Sequence, residues 1–218
     1  MNRCYKIGWY FFRAFFRCYF RWRVFNPERV PMSGPVILAC NHASFIDPPL
    51  AGAGLRRPIN YLARASLFRV PILAAILRSW EVVAVDRDGG TGGGFKAILE
   101  RLQRGGIILL FPEGTRSPDG QLQEARSGIG LAVIKSAAPV VPVRLFGTYE
   151  AYGRRKHWPR PLLPLTVKYG QPMDFAALRA EARTCPKPRV KEIYQQVADE
   201  IMAAIARLEP FEDKEQFP

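Results

Sequence analysis

Pro35-Val36-Ile37-Leu38-Ala39-Cys40 is a short, unbroken apolar run that leads directly into Asn41-His42-Ala43-Ser44-Phe45-Ile46-Asp47. A continuous apolar run of this length reads as a strand buried on both faces. Ile107–Phe111 is a second such run, and Val140–Phe146 and Leu165–Tyr169 are two more. Glu81–Val85 is rich in valine and Ile59–Ala63 is a further strand candidate. Between them lie stretches of helical character. Pro48–Leu55 opens on proline, Val70–Ser79 has helical period, and Thr91–Gln103 is stopped by Gly105-Gly106. Gly128–Ala137 and the long amphipathic Lys187–Leu208 follow. Strands alternating with helices predict an α/β fold, a single domain with a mostly parallel central sheet flanked by helices. The tail Glu209–Pro218 is polar, short and expected to be loose.

The chain has 218 residues, enough for one sizeable core, and an ordinary apolar content of 48%. Its net charge of +13 is not ordinary and points to acidic partners: nucleic acid, anionic lipid or phosphorylated substrates. Cys4, Cys18, Cys40 and Cys185 are scattered with no CxxC pair, which argues against both a disulfide framework and a zinc site. No metal is expected. Neither GxGxxG nor GxxxxGK[ST] occurs, so the glycine-rich stretches are not nucleotide fingerprints.

Residues 1–25 stand apart, with eleven aromatic and six basic residues and no acidic one. No uncharged run approaches the roughly 18–20 residues that cross a bilayer, and arginines interrupt any signal-peptide pattern. On an ideal helix, Arg3, Lys6, Arg13, Arg17 and Arg21 fall within a sector of roughly 80°, and Trp9, Phe12, Phe15, Phe16, Tyr19, Phe20 and Trp22 spread over the rest. A helix packed on its own domain would account for part of this pattern. The excess of rings favours an amphipathic membrane-interface helix over residues 1–25, with an anionic membrane surface as partner.

His42 follows the first strand, where ligands gather in open α/β sheets. Only His42 and His157 could supply imidazole chemistry. An imidazole can take a proton from an alcohol, and works best when a carboxylate holds its other nitrogen. Asp47 is the nearest carboxylate. Its five-residue spacing suits a chain turning from strand into helix, and Pro48-Pro49 mark that turn. Phe111-Pro112-Glu113-Gly114-Thr115-Arg116-Ser117 also follows a strand. Gly114 would admit a close backbone approach, Arg116 offers a fork for phosphate, and Thr115 and Ser117 add hydroxyls. Glu113 would orient substrate or an arginine. A plain turn with one exposed arginine is the alternative.

The pair NHASFID and FPEGTRS resembles the glycerolipid acyltransferases of the 1-acylglycerol-3-phosphate acyltransferase type. Val82-Val83-Ala84-Val85-Asp86-Arg87 resembles that family's phosphate-binding arginine block, and Val140-Val141-Pro142-Val143 its last apolar block. The order agrees over residues 35–172. Ser79-Trp80 and Val83–Val85 depart from the family pattern, which has glycine at the start of that block and phenylalanine near its end. The resemblance implies an acyltransferase domain over residues 30–210. It would move a fatty acyl group from acyl-CoA or acyl carrier protein, with no cofactor, to a lysophospholipid acceptor. Lysophosphatidic acid is the leading acceptor and a lyso-aminolipid the alternative. His42 would be the base and Asp47 its partner, and Arg87, Glu113, Gly114, Thr115 and Arg116 would bind substrate. The expected location is the cytoplasmic side of a membrane, peripheral or monotopic. Nucleic acid is not expected as a partner, because the cations are scattered and would leave His42 and FPEGTRS unexplained. A hydrolase using water with the same pair, or a non-catalytic membrane protein on this fold, are the rival classes.

Overall fold

The computed structural model describes residues 3–85, 92–154 and 156–213. In chain order they form α1 (Arg3–Tyr19), β1 (Arg21–Phe25), a 3-10 turn (Pro27–Arg29), β2 (Val36–Cys40), α2 (Asp47–Ala53), β3 (Ile59–Asn60) and β4 (Leu62–Arg64). A second 3-10 turn (Ala65–Arg69), α3 (Pro71–Ser79), β5 (Val83–Val85), α4 (Gly92–Gln103), β6 (Ile107–Leu110) and α5 (Gly128–Lys135) come next. Then follow β7 (Val140–Phe146), α6 (Thr148–Tyr152), β8 (Pro164–Tyr169), α7 (Ala176–Thr184) and α8 (Lys187–Arg207).

The main sheet has the order β1-β8-β7-β2-β6-β3. Every neighbouring pair is parallel except β7 with β8. β2 lies between β6 and β7, and all five of its residues are buried. Alternate side chains of a strand face opposite ways, so β2 feeds two cores. Val36, Leu38 and Cys40 pack with Tyr5, Phe16, Leu50 and Ala53 beneath α1 and α2. Ile37 and Ala39 pack with Ile129, Val133, Ile193, Val197 and Ile201 of α5 and α8. Helices on both faces are what permits the uninterrupted apolar run. The expected α/β architecture with its mostly parallel sheet is the one observed.

Several boundaries differ from the sequence reading. Ile59–Ala63 is not one strand: β3 pairs with β6, while β4 turns away to pair with β5 in a separate two-stranded sheet. The N-terminal helix does not reach residue 25. It ends at Tyr19, and Arg21–Phe25 adds a strand to the sheet, parallel to β8, from Arg21 opposite Pro164 to Phe25 opposite Lys168. The local reason is a switch in period. Trp22 and Val24 alternate with Arg21 and Arg23, and the apolar pair packs on the core. Arg21, counted in the cationic stripe of a helix, therefore belongs to an edge strand.

α1 itself has three faces. Tyr5, Phe16 and the following Phe20 are buried, Trp9 donates from Nε1 to the Leu55 carbonyl (2.8 Å), and Arg13 donates to the Ala53 carbonyl (2.7 Å). Arg13 also lies over the Trp9 ring, 4.5 Å from its centroid. The helix is thus packed on its own domain along one face. Arg3, Lys6 and Arg17 line a second, exposed face, and Ile7 and Phe11 stand exposed on a third. No described helix is long and apolar enough to cross a membrane.

The described part of the tail, residues 209–213, is less loose than its composition predicts. Asp213 pairs with the buried Lys168 of β8 and with Arg29, each at 2.5 Å. A lysine ammonium 2% exposed needs such a partner to offset its desolvation.

Candidate active site

The site forms where β2 and β6 end side by side, since Ala39 pairs with Leu110 and the two following loops leave together. Asp47, the first residue of α2, is fully buried. Its Oδ2 accepts the backbone N–H groups of Ala43 (2.7 Å) and Ser44 (2.6 Å) and lies 2.9 Å from His42 Nδ1. The turn is therefore wrapped around the carboxylate, and this is how a five-residue spacing brings His42 and Asp47 together. An ionised Asp47 accepts from Nδ1–H and so leaves the Nε2 lone pair on the side of the ring away from the carboxylate. The imidazole lies flat on Phe111, with centroids 3.9 Å apart.

The backbone of His42 is clamped from the second loop. Its N–H donates to Glu113 Oε1 (2.8 Å), and its carbonyl accepts from the Ser117 N–H (2.7 Å). Asn41 fixes the other side, donating from Nδ2 to the Leu145 carbonyl (3.1 Å) and accepting the Leu145 N–H at Oδ1 (2.8 Å). In this way the asparagine side chain extends the ladder between β2 and β7.

Glu113 is 2% exposed and its Oε2 has no hydrogen-bond partner among the described residues. Burial pushes its carboxyl up from 4.5 to about 7, against the backbone N–H groups of His42 and Gln123 and with the charge of Asp47 adding to the rise. The folded protein thus holds this proton more tightly than the unfolded chain. The linked stability is complete below about pH 4.5 and is lost as pH rises through about 7. Glu113→Gln keeps an acceptor for His42 N–H and cannot ionise. Across that interval the wild type should lose up to about 3 kcal/mol relative to the variant. Thermal melts of both proteins over this pH range check it, and parallel curves would mean that the carboxyl titrates as in an unfolded chain.

Gly114 adopts φ +69°, and a Cβ there would meet Arg126 Cδ at 2.9 Å, so the loop requires glycine for its own geometry. Thr115 is exposed. Arg116 lies over the Phe45 ring, 3.5 Å from its centroid, and its buried Nη1 has no hydrogen-bond partner among the described residues. Burial lowers the proton affinity of this guanidinium, and the positive charges of Arg154 and Arg64 lower it further. Two arginines from separate parts of the chain thus act on Arg116, against the opposite pull of Asp47. Ser117 is not a free hydroxyl: its Oγ donates to Asp119 and accepts from Gly120 N–H. Ser44 Oγ donates to the Tyr152 carbonyl (2.6 Å), which ties the first loop to the C-terminal end of α6. Cys40, beneath the pair, is fully buried, and its thiol is pushed well up by burial and by Asp47 and Glu113. It is therefore held in its unreactive protonated form.

The structure gathers His42, Asp47, Glu113, Gly114, Thr115 and Arg116 around the two loop ends. Arg87 lies outside the described residues. Sequence reasoning gave no role to Asn41, Phe45, Arg64, Phe111 or Arg154. Asn41 and Phe111 adjoin the motifs and were within reach. Arg64 and Arg154 carry no local signal, and only the tertiary fold brings their charge to bear on Arg116.

Comparison with known proteins agrees with this architecture. A 1-acyl-sn-glycerol-3-phosphate acyltransferase from Bacillus subtilis is 27% identical over 180 residues, covering 78% of this chain and 87% of that protein. The chloroplastic enzyme of the same name from Arabidopsis thaliana is 31% identical over 124 residues, 56% of this chain and 35% of the relative. The crystal structure of the 1-acyl-sn-glycerophosphate (LPA) acyltransferase from Thermotoga maritima superposes with a TM-score of 0.70 at 23% identity, covering 94% of this chain and 80% of that one, and so shares the fold. Residues 21–145, more than half of the chain and including both loops and the arginine-bearing Phe111–Ser117 segment, match the family model described as Acyltransferase, and the chain belongs to that family.

Proposed function

We propose that this acyltransferase moves a fatty acyl group from an acyl thioester to the free hydroxyl of 1-acylglycerol-3-phosphate, making phosphatidic acid. The observation that carries the reading is the 2.9 Å contact of His42 Nδ1 with a fully buried Asp47, in a chain whose relatives are named for this reaction. His42 Nε2 takes the hydroxyl proton as the acceptor oxygen attacks the thioester carbonyl. The tetrahedral adduct collapses, the C–S bond breaks, and the imidazolium returns its proton to the leaving thiolate. Ester and thiol are the products, and no acyl-enzyme is formed. Asp47 holds the tautomer and stabilises the imidazolium. Glu113 acts on His42 through its backbone, and Gly114 shapes the loop that presents Thr115 and Arg116. Arg116 seats the acceptor phosphate with Arg64 and Arg154 adding positive charge, and Arg87 is assigned there by resemblance alone.

The test is a matrix of acceptors and donors with the purified protein in detergent. Thiol release from acyl-CoA or acyl carrier protein should depend on 1-acylglycerol-3-phosphate and yield phosphatidic acid. Thiol release independent of any acceptor would instead make the protein a hydrolase, and preference for a lyso-aminolipid would change the product. Arg116→Ala should raise the acceptor KM by roughly tenfold to a hundredfold, the loss of a charged hydrogen bond, with kcat changed less. Lysine should rescue poorly, because it replaces a fork stacked on Phe45 with a point charge. An unchanged acceptor KM in Arg116→Ala would move the phosphate elsewhere.

Peripheral binding to an anionic leaflet, on its cytoplasmic side, completes the reading. The exposed cations Arg3, Lys6 and Arg17 beside the exposed Ile7 and Phe11 support it. Removing residues 1–25 would also remove β1 and buried rings of the core, so substitutions on the exposed face are the cleaner probe.

A further inference from the structure

Single exposed aliphatic residues are ordinary on protein surfaces. The second 3-10 turn and α3 are different. Leu67 (42% exposed), Val70 (53%), Ile72 (79%) and Ile76 (47%) all face outward within one short segment. On α3 the small Ala74 is buried, while Ile72 and Ile76, four residues apart and so on one helix face, point away from the protein. Leu73 and Leu77 are half-buried as well, so α3 carries apolar residues on both sides, where a surface helix usually confines them to the inner one. Arg69 and Arg78 flank the face and are exposed.

This face is joined to α1. Trp80, the C-cap of α3, packs on the rings of Tyr5 (5.9 Å) and Phe12 (5.6 Å). It also fills the space at Gly8, where a Cβ would lie 2.0 Å from Trp80 Cζ2. Residues 5, 8 and 12 of α1 thus grip α3, and Ile7 and Phe11, their sequence neighbours, are the exposed apolar residues of α1. The opposite end of the segment begins next to Arg64, whose charge acts on Arg116 in the site.

We propose that Ala65–Ser79 is a second membrane-contacting element, seating Leu67, Val70, Ile72 and Ile76 at the headgroup–acyl boundary of an anionic leaflet alongside α1. The proposal rests on the peripheral-membrane reading for its choice of lipid as partner. Flanking arginines and the net charge of +13 match an anionic surface, and a helix with one apolar face and basic flanks is the form such contacts take. Because the element starts at Arg64, seating it brings the mouth of the site to the leaflet, where a lysolipid can enter without leaving the bilayer.

Co-sedimentation of the full chain with phosphatidylglycerol–phosphatidylcholine vesicles, compared with phosphatidylcholine alone, tests it. Ile72→Glu with Ile76→Glu should weaken binding to the mixed vesicles by at least about a hundredfold, since burying one isoleucine corresponds to roughly one to two decades in an equilibrium constant. The melting temperature and the rate on a short-chain, water-soluble acceptor should hold. Ile72→Trp should show quenching of the added fluorescence by brominated lipid, a readout independent of any loss of fold in the glutamate variant. Unchanged vesicle binding in the glutamate variant, or no quenching in Ile72→Trp, overturns the proposal. So does light scattering that finds a dimer abolished by the glutamate pair, which would assign the face to a second copy. Phe11→Glu separates the two claims: if it releases the protein while the glutamate pair does not, α1 is the membrane contact and Ala65–Ser79 is not. Loss of the soluble-acceptor rate in the wild type would strike the proposed reaction and leave this surface unaffected.

Discussion

Replacing His42 with alanine is expected to lower kcat for acyl transfer by about 10²–10⁴, the usual contribution of a positioned general base. The substitution is structurally mild. The His42 side chain is 17% exposed, and the bonds that fix this position run through its backbone, N–H to Glu113 and carbonyl from Ser117. The ring's stacking on Phe111 and its contact with Asp47 are lost, but Asp47 keeps the N–H groups of Ala43 and Ser44 and both loops remain tied. The melting temperature and acceptor binding should therefore change little while turnover collapses. Turnover above about a tenth of the wild-type rate would remove His42 from the role of base, given the range typical of such groups.

Asp47→Asn should cost about 10³–10⁴ in kcat, because the imidazole loses its orienting and stabilising charge. Its amide oxygen can still accept the N–H groups of Ala43 and Ser44, which keeps the turn. That same oxygen is the one His42 Nδ1 faces, so the ring stays in place but loses the negative charge that stabilises its imidazolium as the proton is taken. Asp47→Ala should differ in kind. It strands two buried backbone donors and the ring nitrogen, at about 1–3 kcal/mol for each unsatisfied group. Kinetics and thermal melts of the two variants together distinguish orientation from folding. A large drop in melting temperature for alanine, with a near-normal melt but lost turnover for asparagine, is the expected pattern. An active Asp47→Asn variant would remove the carboxylate from the chemistry.

The sequence by itself determined the parts whose physics is local. Val36–Cys40 and Ile107–Leu110 are short apolar runs that only a sheet covered on both faces can bury, so their class and nearly their bounds were legible. His42 and Asp47 lie within one turn, and Pro48-Pro49 announce it, so their meeting was legible too. Period-two alternation at Arg21–Phe25 was present in the sequence, but it lay beneath a helical pattern of aromatics continuous with α1. Pairing with β8, some 140 residues away, decided for strand. The same kind of long-range contact split Ile59–Ala63 between two sheets. Glu113 by itself stood open between orienting substrate and orienting an arginine, and only the family resemblance made it a substrate ligand. Only the tertiary structure put it under the His42 amide, and burial there raised its pKa. The arginines acting on Arg116 and the outward face of α3 were likewise invisible. Helical period shows that a stripe is apolar, whereas which side of the helix meets the protein depends on what packs there. At α3 the contact is Trp80 gripped by α1, and it leaves the isoleucines outside.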